Sequence, residues 1–255
     1  MTTRRGWERL LWVLTFVLVF IGVVIVAHRT VQIVHPSPAP AGFPEAATLD
    51  RGFARHPVLT MVHITPGLLF VLLAPIQLMR SVRNRRPKMH RWVGRVLVGA
   101  GMIIGVTALV MSPQMAIGGV NETVATELFG TLFLVFLVKG FLAIRRRDVA
   151  AHREWMIRAF ATGMAVATIR PIMGIFFATR LLTHLTPQQF FGTAFWLGFT
   201  VQLLVAEVWI NYTRPAWRRN SSSTASYPQG ISTPAVVAPA ASRAATESGE
   251  RRRVQ

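Results

Sequence analysis

The chain has no cysteine among its 255 residues. Disulfide frameworks, thiol nucleophiles, cysteine-bound zinc and iron–sulfur clusters are thereby excluded. Charge is scarce as well: Asp, Glu, Lys and Arg make up 15% of the chain, against about 25% in a soluble domain. Acidic residues are the scarcest part, 10 against 28 basic ones, which leaves a formal net charge of +18. Phosphate-cradling loops, a His-Glu-x-x-His helix, a Gly-x-Ser-x-Gly elbow and paired carboxylates are missing too. Nothing therefore supports a hydrolase or an ATPase. What fills the space is apolar: 52% of residues are hydrophobic and mean hydropathy is +0.43. A pI near 12.0 would ordinarily suggest nucleic-acid binding. Combined with this hydropathy it fits better with apolar blocks separated by basic turns, and no nucleic-acid partner is expected.

Six apolar runs stand out, at Leu10–Ala27, Val58–Met79, Trp92–Met111, Val124–Ile144, Trp155–Ala178 and Thr193–Tyr212. Each is near the roughly 20 residues that carry a helix across about 30 Å of hydrocarbon. Pro66, Pro75 and Pro171 fall inside these runs, which a membrane bundle tolerates because neighbouring helices re-satisfy the freed carbonyls. The expected fold is an all-α integral membrane bundle of six transmembrane helices spanning residues 10–213. The first run follows a charged segment, as in a signal peptide. Its length and the lack of a clear small-residue cleavage site favour an uncleaved helix.

The basic residues set the expected orientation. Three precede the first run, seven lie between the second and third or at the start of the third, five between the fourth and fifth or at the start of the fifth, and seven follow the sixth, so 22 of the 28 share one side. Arg29, Arg51, Arg55 and Arg180 lie on the other, and the turn before the fourth run has none. The positive-inside rule then puts both termini, including residues 1–9, in the cytoplasm. Anionic lipid at the cytoplasmic loops is the expected partner. Residues 28–57 form a polar, Pro-rich extracytoplasmic loop, and the Ser-, Ala- and Pro-rich stretch 214–255 is expected to be a disordered cytoplasmic tail. Asn121-Glu-Thr123 matches a glycosylation sequon, a pattern too common to carry weight.

Two of the basic turns resemble each other. One reads Arg85-Arg86-Pro-Lys-Met-His90-Arg91-Trp92-Val-Gly-Arg95, the other Arg146-Arg147-Asp-Val-Ala-Ala-His152-Arg153-Glu-Trp155-Met-Ile-Arg158. A basic run, a His-Arg pair, a Trp and an Arg recur in order, so helices 2–3 and 4–5 read as a parallel repeat. With His63, these boxes resemble the bacterial membrane proteins grouped as domain-of-unknown-function family 2306, over roughly Leu59–Tyr212. The resemblance implies a polytopic membrane protein of the bacterial inner membrane and supplies no activity. In layout the chain is more distantly similar to b561-type transmembrane cytochromes, in which histidines of paired helices bind haem b.

The two boxes permit two readings. His90 and His152 sit at matching depth on separate helices and could ligate one haem iron from both faces, with Arg91, Arg95, Arg153 and Arg158 near the propionates. Such a protein would be a cytochrome-like electron carrier with a membrane redox partner. Alternatively, His-Arg-x-Trp forms an interfacial belt, with Trp at headgroup depth and Arg snorkelling to lipid phosphates.

Ionisable groups inside the apolar runs form a second set. His63 is about 8 Å into its helix, Glu127 a few residues into the fourth, and Arg170 about 12 Å below the outer end of the fifth, by helical rise. Charges at such depths cost several kcal/mol unless paired or hydrated, so these three are expected to face one interior, as an ion-pair cluster or a proton, quinone or small-solute site. The second use would make the chain a transporter, and with six helices it would need a second copy. Lys139 and Glu207 lie at matching depth near the basic side and are expected to form a buried salt bridge. Gly101-Met-Ile-Ile-Gly105 is a small-xxx-small pattern suited to close packing within the chain. A third reading is a non-catalytic membrane component whose basic loops bind anionic lipid or a partner.

Overall fold

A computed structural model of the chain describes residues 2–35 and 52–225, with side chains described for 6–35 and 52–214. Every extended element is a helix: α1 Thr2–Val34, α2 Pro57–Leu78, α3 Arg80–Arg85, α4 Pro87–Met115, α5 Gly119–Arg145, α6 Val149–Thr183 and α7 Pro187–Ala225. No strand occurs among the described residues. Six of the helices, all but α3, are long and apolar enough to cross a membrane. Residues 1–215 form one unit and 216–255 another; the bundle belongs to the first.

All six spans outrun the hydrophobic runs that signal them, or shift against them by a residue. α1 begins at Thr2 rather than Leu10, and α6 spans Val149–Thr183 against an expected Trp155–Ala178. Hydropathy reports the part of a helix that lipid surrounds, whereas backbone hydrogen bonds continue into the headgroup layer. The first nine residues are thus helical from Thr2, the expected loop 28–57 starts after Val34, and α7 continues to Ala225 where a tail was expected from 214. Residues 36–51 and 226–255, the rest of that loop and tail, lie outside the described residues. Local signals set the ends. Pro57, Pro87 and Pro187 open α2, α4 and α7, where a missing N–H costs nothing. Asp148 caps α6 by accepting the Ala151 amide at 2.9 Å, and His184 closes it in the left-handed region at φ 53°.

Within the bundle α2, α4, α5 and α6 pack as a ring, each against the next, with α6 closing on α2; α1 lies against α2 and α6. The ring is filled by Phe70 and Ala74 of α2, Leu97 of α4, Phe133, Phe136 and Leu137 of α5, and Ala159 of α6. Phe70 meets Phe133 edge to face at 5.7 Å, across the ring. Glycines let the helices come this close: a Cβ on Gly101 would stand 2.6 Å from Leu137 Cδ1, and one on Gly105 would overlap Leu134. The small-xxx-small pattern therefore serves packing of α4 on α5, within the chain. α7 lies against α6 through Ile157, Ala161, Ala206 and Ile210, and a second core joins α5, α6 and α7 around Phe129, Phe190, Phe191 and Phe199. Large aliphatic side chains such as Val13, Val17, Leu72, Val106, Leu128 and Leu204 face outward, the arrangement expected where lipid is the solvent.

Candidate functional site: two polar clusters at opposite ends of the ring

The turns from α2 to α4 and from α5 to α6 form the basic end of the bundle. There His90 stands in the first turn of α4 and His152 in the first turn of α6, on helices facing each other across the ring. His152 Nδ1 donates to the Gly140 carbonyl of α5 at 2.8 Å. A carbonyl only accepts, so Nδ1 carries a proton, and in the neutral ring the lone pair is on Nε2. Such a bond is what orients metal-ligating imidazoles in general. His90 Nδ1 is buried with no hydrogen-bond partner, and so are both amide atoms of Gln77 in the last turn of α2. Gln77 lies close to the start of α4: a Cβ on Gly94, one turn along from His90, would stand 3.9 Å from Gln77 Oε1. Orphaned polar atoms of this kind mark a place where a ligand or water completes the site.

Of the arginines at this end, Arg83 and Arg153 lie nearest these groups. Arg83, carried by α3, lies within electrostatic range of both His90 and Arg153. Burial, then the neighbouring Arg80, holds the Arg83 guanidinium below its ordinary pKa. Arg153 donates to Thr213 Oγ1 of α7 at 2.5 Å. Arg91 and Arg95 are exposed, and Arg91 Nε donates to the carbonyl of its own Pro87 at 3.3 Å. Arg158 is committed elsewhere: it grips Glu207 with two bonds, at 2.5 and 3.0 Å. The expected Lys139–Glu207 bridge is replaced by this pair, because Lys139 lies on the exposed side of α5 with its ammonium 4.6 Å over the Trp155 ring. Arg214 and Glu154 make a second two-bond pair between α7 and α6, at 2.8 and 2.9 Å.

At the opposite end the expected trio does not assemble. His63 Nδ1 lies 2.9 Å from Thr107 Oγ1, joining α2 to α4. Glu127 is half-buried on α5 and not directed at Arg170. The carboxylate within electrostatic reach of Arg170 is Glu122, buried in the first turn of α5, where it accepts the Gly118 amide at 2.7 Å. Arg29, 8% exposed, is also within reach of Arg170, and its guanidinium stacks on Phe53 at 4.0 Å. Arg170 itself has Met173 Sδ at 3.9 Å from Nη1, and its Nε is buried without a hydrogen-bond partner. Among the described residues no three His, Asp or Glu side chains converge into a metal-binding group.

Six membrane-length helices around an aromatic-filled four-helix ring, with polar side chains gathered at its two ends, define a multi-pass helical membrane protein. The sequence profile of the family described as predicted membrane protein, domain of unknown function 2306, matches residues 60–210. The chain belongs to that family. Neither the curated proteins nor the solved structures give a match.

Proposed function

We propose that this protein is a membrane electron carrier holding one haem b between His90 and His152. The observation that carries the reading is the His152–Gly140 bond, which fixes the tautomer and leaves Nε2 as the basic nitrogen. His90, whose Nδ1 is buried without a hydrogen-bond partner, lies within electrostatic range of His152. His90 and His152 would hold the haem, which would supply one-electron chemistry when bound. Arg83 lies within electrostatic range of His90 and of Arg153, and both arginines would supply charge-assisted hydrogen bonds to the propionates. By the positive-inside rule this end faces the cytoplasm of a bacterial cell. Its arginines then attract anionic lipid at about 1 kcal/mol each, and a membrane redox partner or a second copy would dock there.

The test is the absorption spectrum of the full chain purified in detergent from haem-replete cells. A Soret band with haem b α and β bands is expected, lost in His90→Ala and in His152→Ala and kept in His63→Ala. Gel filtration of each variant separates loss of haem from loss of fold. A colourless, monodisperse wild-type preparation overturns the proposal.

A further inference from the structure

The two His-Arg turns are alike in sequence and are used in opposite ways. In the second, the members are spent inside the chain: Arg153 bonds Thr213, Trp155 stacks on Phe136 at 5.8 Å, and Arg158 grips Glu207. In the first, the matching Arg91, Trp92 and Arg95 are all exposed, Trp92 over 67% of its surface. Among the described residues the side chains of Trp92, Arg95 and nearby Lys88 have no hydrogen bond, ion pair or ring contact. Arg91 reaches only the carbonyl of Pro87. Lys88, Trp92, Arg95 and Gly99 follow one another at steps of four and three, so they share one face of α4. That face continues as Ile103 and Val106, both exposed. A Cβ on Gly99 would meet nothing within 4 Å, so the face is open there. Helical side chains lean toward the N-terminus, here the basic end. Arg95, about 10 Å below Lys88 by helical rise, therefore reaches back toward it.

We infer that this face of α4 holds one molecule of anionic phospholipid, its phosphate among Lys88, Arg91 and Arg95 and its acyl chains along Gly99, Ile103 and Val106. Charge complementarity selects that occupant. No acidic residue occurs between Asp50 and Glu122, so nothing on α2, α3 or α4 neutralises these cations. A second copy would offer little: near this end Glu154 and Glu207 are held by Arg214 and Arg158, and Asp148 caps α6. Forked guanidinium donors match a phosphodiester. Trp92 suits the headgroup layer, with its apolar body against lipid and its ring N–H toward phosphate or water. The site rests on the part of the functional reading that puts anionic lipid at the basic end, and the haem does not enter it. General attraction depends on how many charges are present, whereas this site depends on which ones.

The experiment uses the full chain, delipidated in neutral detergent, with thermal unfolding followed during titration with phosphatidylglycerol or phosphatidylcholine. Phosphatidylglycerol should stabilise the wild type, and phosphatidylcholine should not. Lys88→Gln with Arg95→Gln is expected to weaken the phosphatidylglycerol response at least tenfold. Arg145→Gln with Arg146→Gln removes as many exposed charges from the other turn and should leave it within about twofold. Light scattering should give one unchanged mass for all of them. If the first double variant does not fold, Arg95→Gln alone is read in its place, with a loss of about threefold. Equal losses in the two double variants overturn the site and leave general attraction standing. No response of the wild type to phosphatidylglycerol, or an equal one to phosphatidylcholine, overturns both. A mass that falls when Lys88 and Arg95 are replaced assigns the face to a second copy and overturns the inference.

Discussion

At the scale of single residues, the chain keeps charges where a purely structural design would drop them. Arg170 is the clearest case: it lies inside a membrane-length helix with its Nε buried and unpartnered. Replacing buried ions by apolar side chains of similar volume is often stabilising, by about 1–4 kcal/mol. Arg170→Met should therefore raise the unfolding midpoint of the purified protein. A lower midpoint would mean that Arg170 holds the fold together. The Arg158–Glu207 pair behaves in the opposite sense. Glu207→Gln should destabilise by about 1 kcal/mol, a small figure because the carboxylate is 42% exposed. Lys139→Met should have no comparable effect, and equal losses in the two variants would restore Lys139 as the partner. The sequence expectation failed at these two places for one reason, helical phase. Glu122, Ala125, Phe129, Phe133, Phe136 and Gly140 are all buried, at steps of three or four. Glu122 is in phase with that stripe, and Glu127 and Lys139 are not. Depth in the membrane was legible from residue counting; the face of the helix was legible too, but only from the aromatic period.

At the scale of elements, close helix approach and helix starts carry the argument. Gly105 faces Leu134 and Phe133 of α5 across a gap that no side chain fits without movement. Gly105→Val should cost about 1–3 kcal/mol as overpacking, measured as a shift in unfolding by added denaturing detergent. Asp148 links an element to the proposed site. Its carboxylate caps the turn that carries His152, and losing such a cap costs about 1 kcal/mol. Asp148→Ala should fray this turn and lower haem content along with stability. Unchanged haem content would show that the turn is held by the Gly140 bond and tertiary packing alone. The six spans were legible because apolar runs of membrane length have few other uses. Their ends were not, since prolines at helix starts, a left-handed His184 and the Asp148 cap act on hydrogen bonding rather than hydropathy. The short α3 was missed for the same reason: Arg80–Arg85 reads as a basic loop, yet as a helix it brings Arg83 beside His90.

At the scale of the whole molecule, we propose that the excess of positive charge sets the topology. A C-terminal fusion to green fluorescent protein should fluoresce, and one to alkaline phosphatase should be inactive, if both ends lie in the cytoplasm. The reverse pattern would invert the bundle and move His90 and His152 outside. The ring itself has two ends with different chemistry, imidazoles and orphaned amide atoms at one, guanidiniums and a capping carboxylate at the other. The central claim concerns the first end, and the pyridine haemochrome assay on the purified full chain tests it most directly. A single haem b per chain is the predicted result, because His90 and His152 lie on separate helices within electrostatic range of each other. No haem in protein from haem-replete cells would contradict it, and so would a second haem, for which His63, bonded to Thr107, has no matching imidazole.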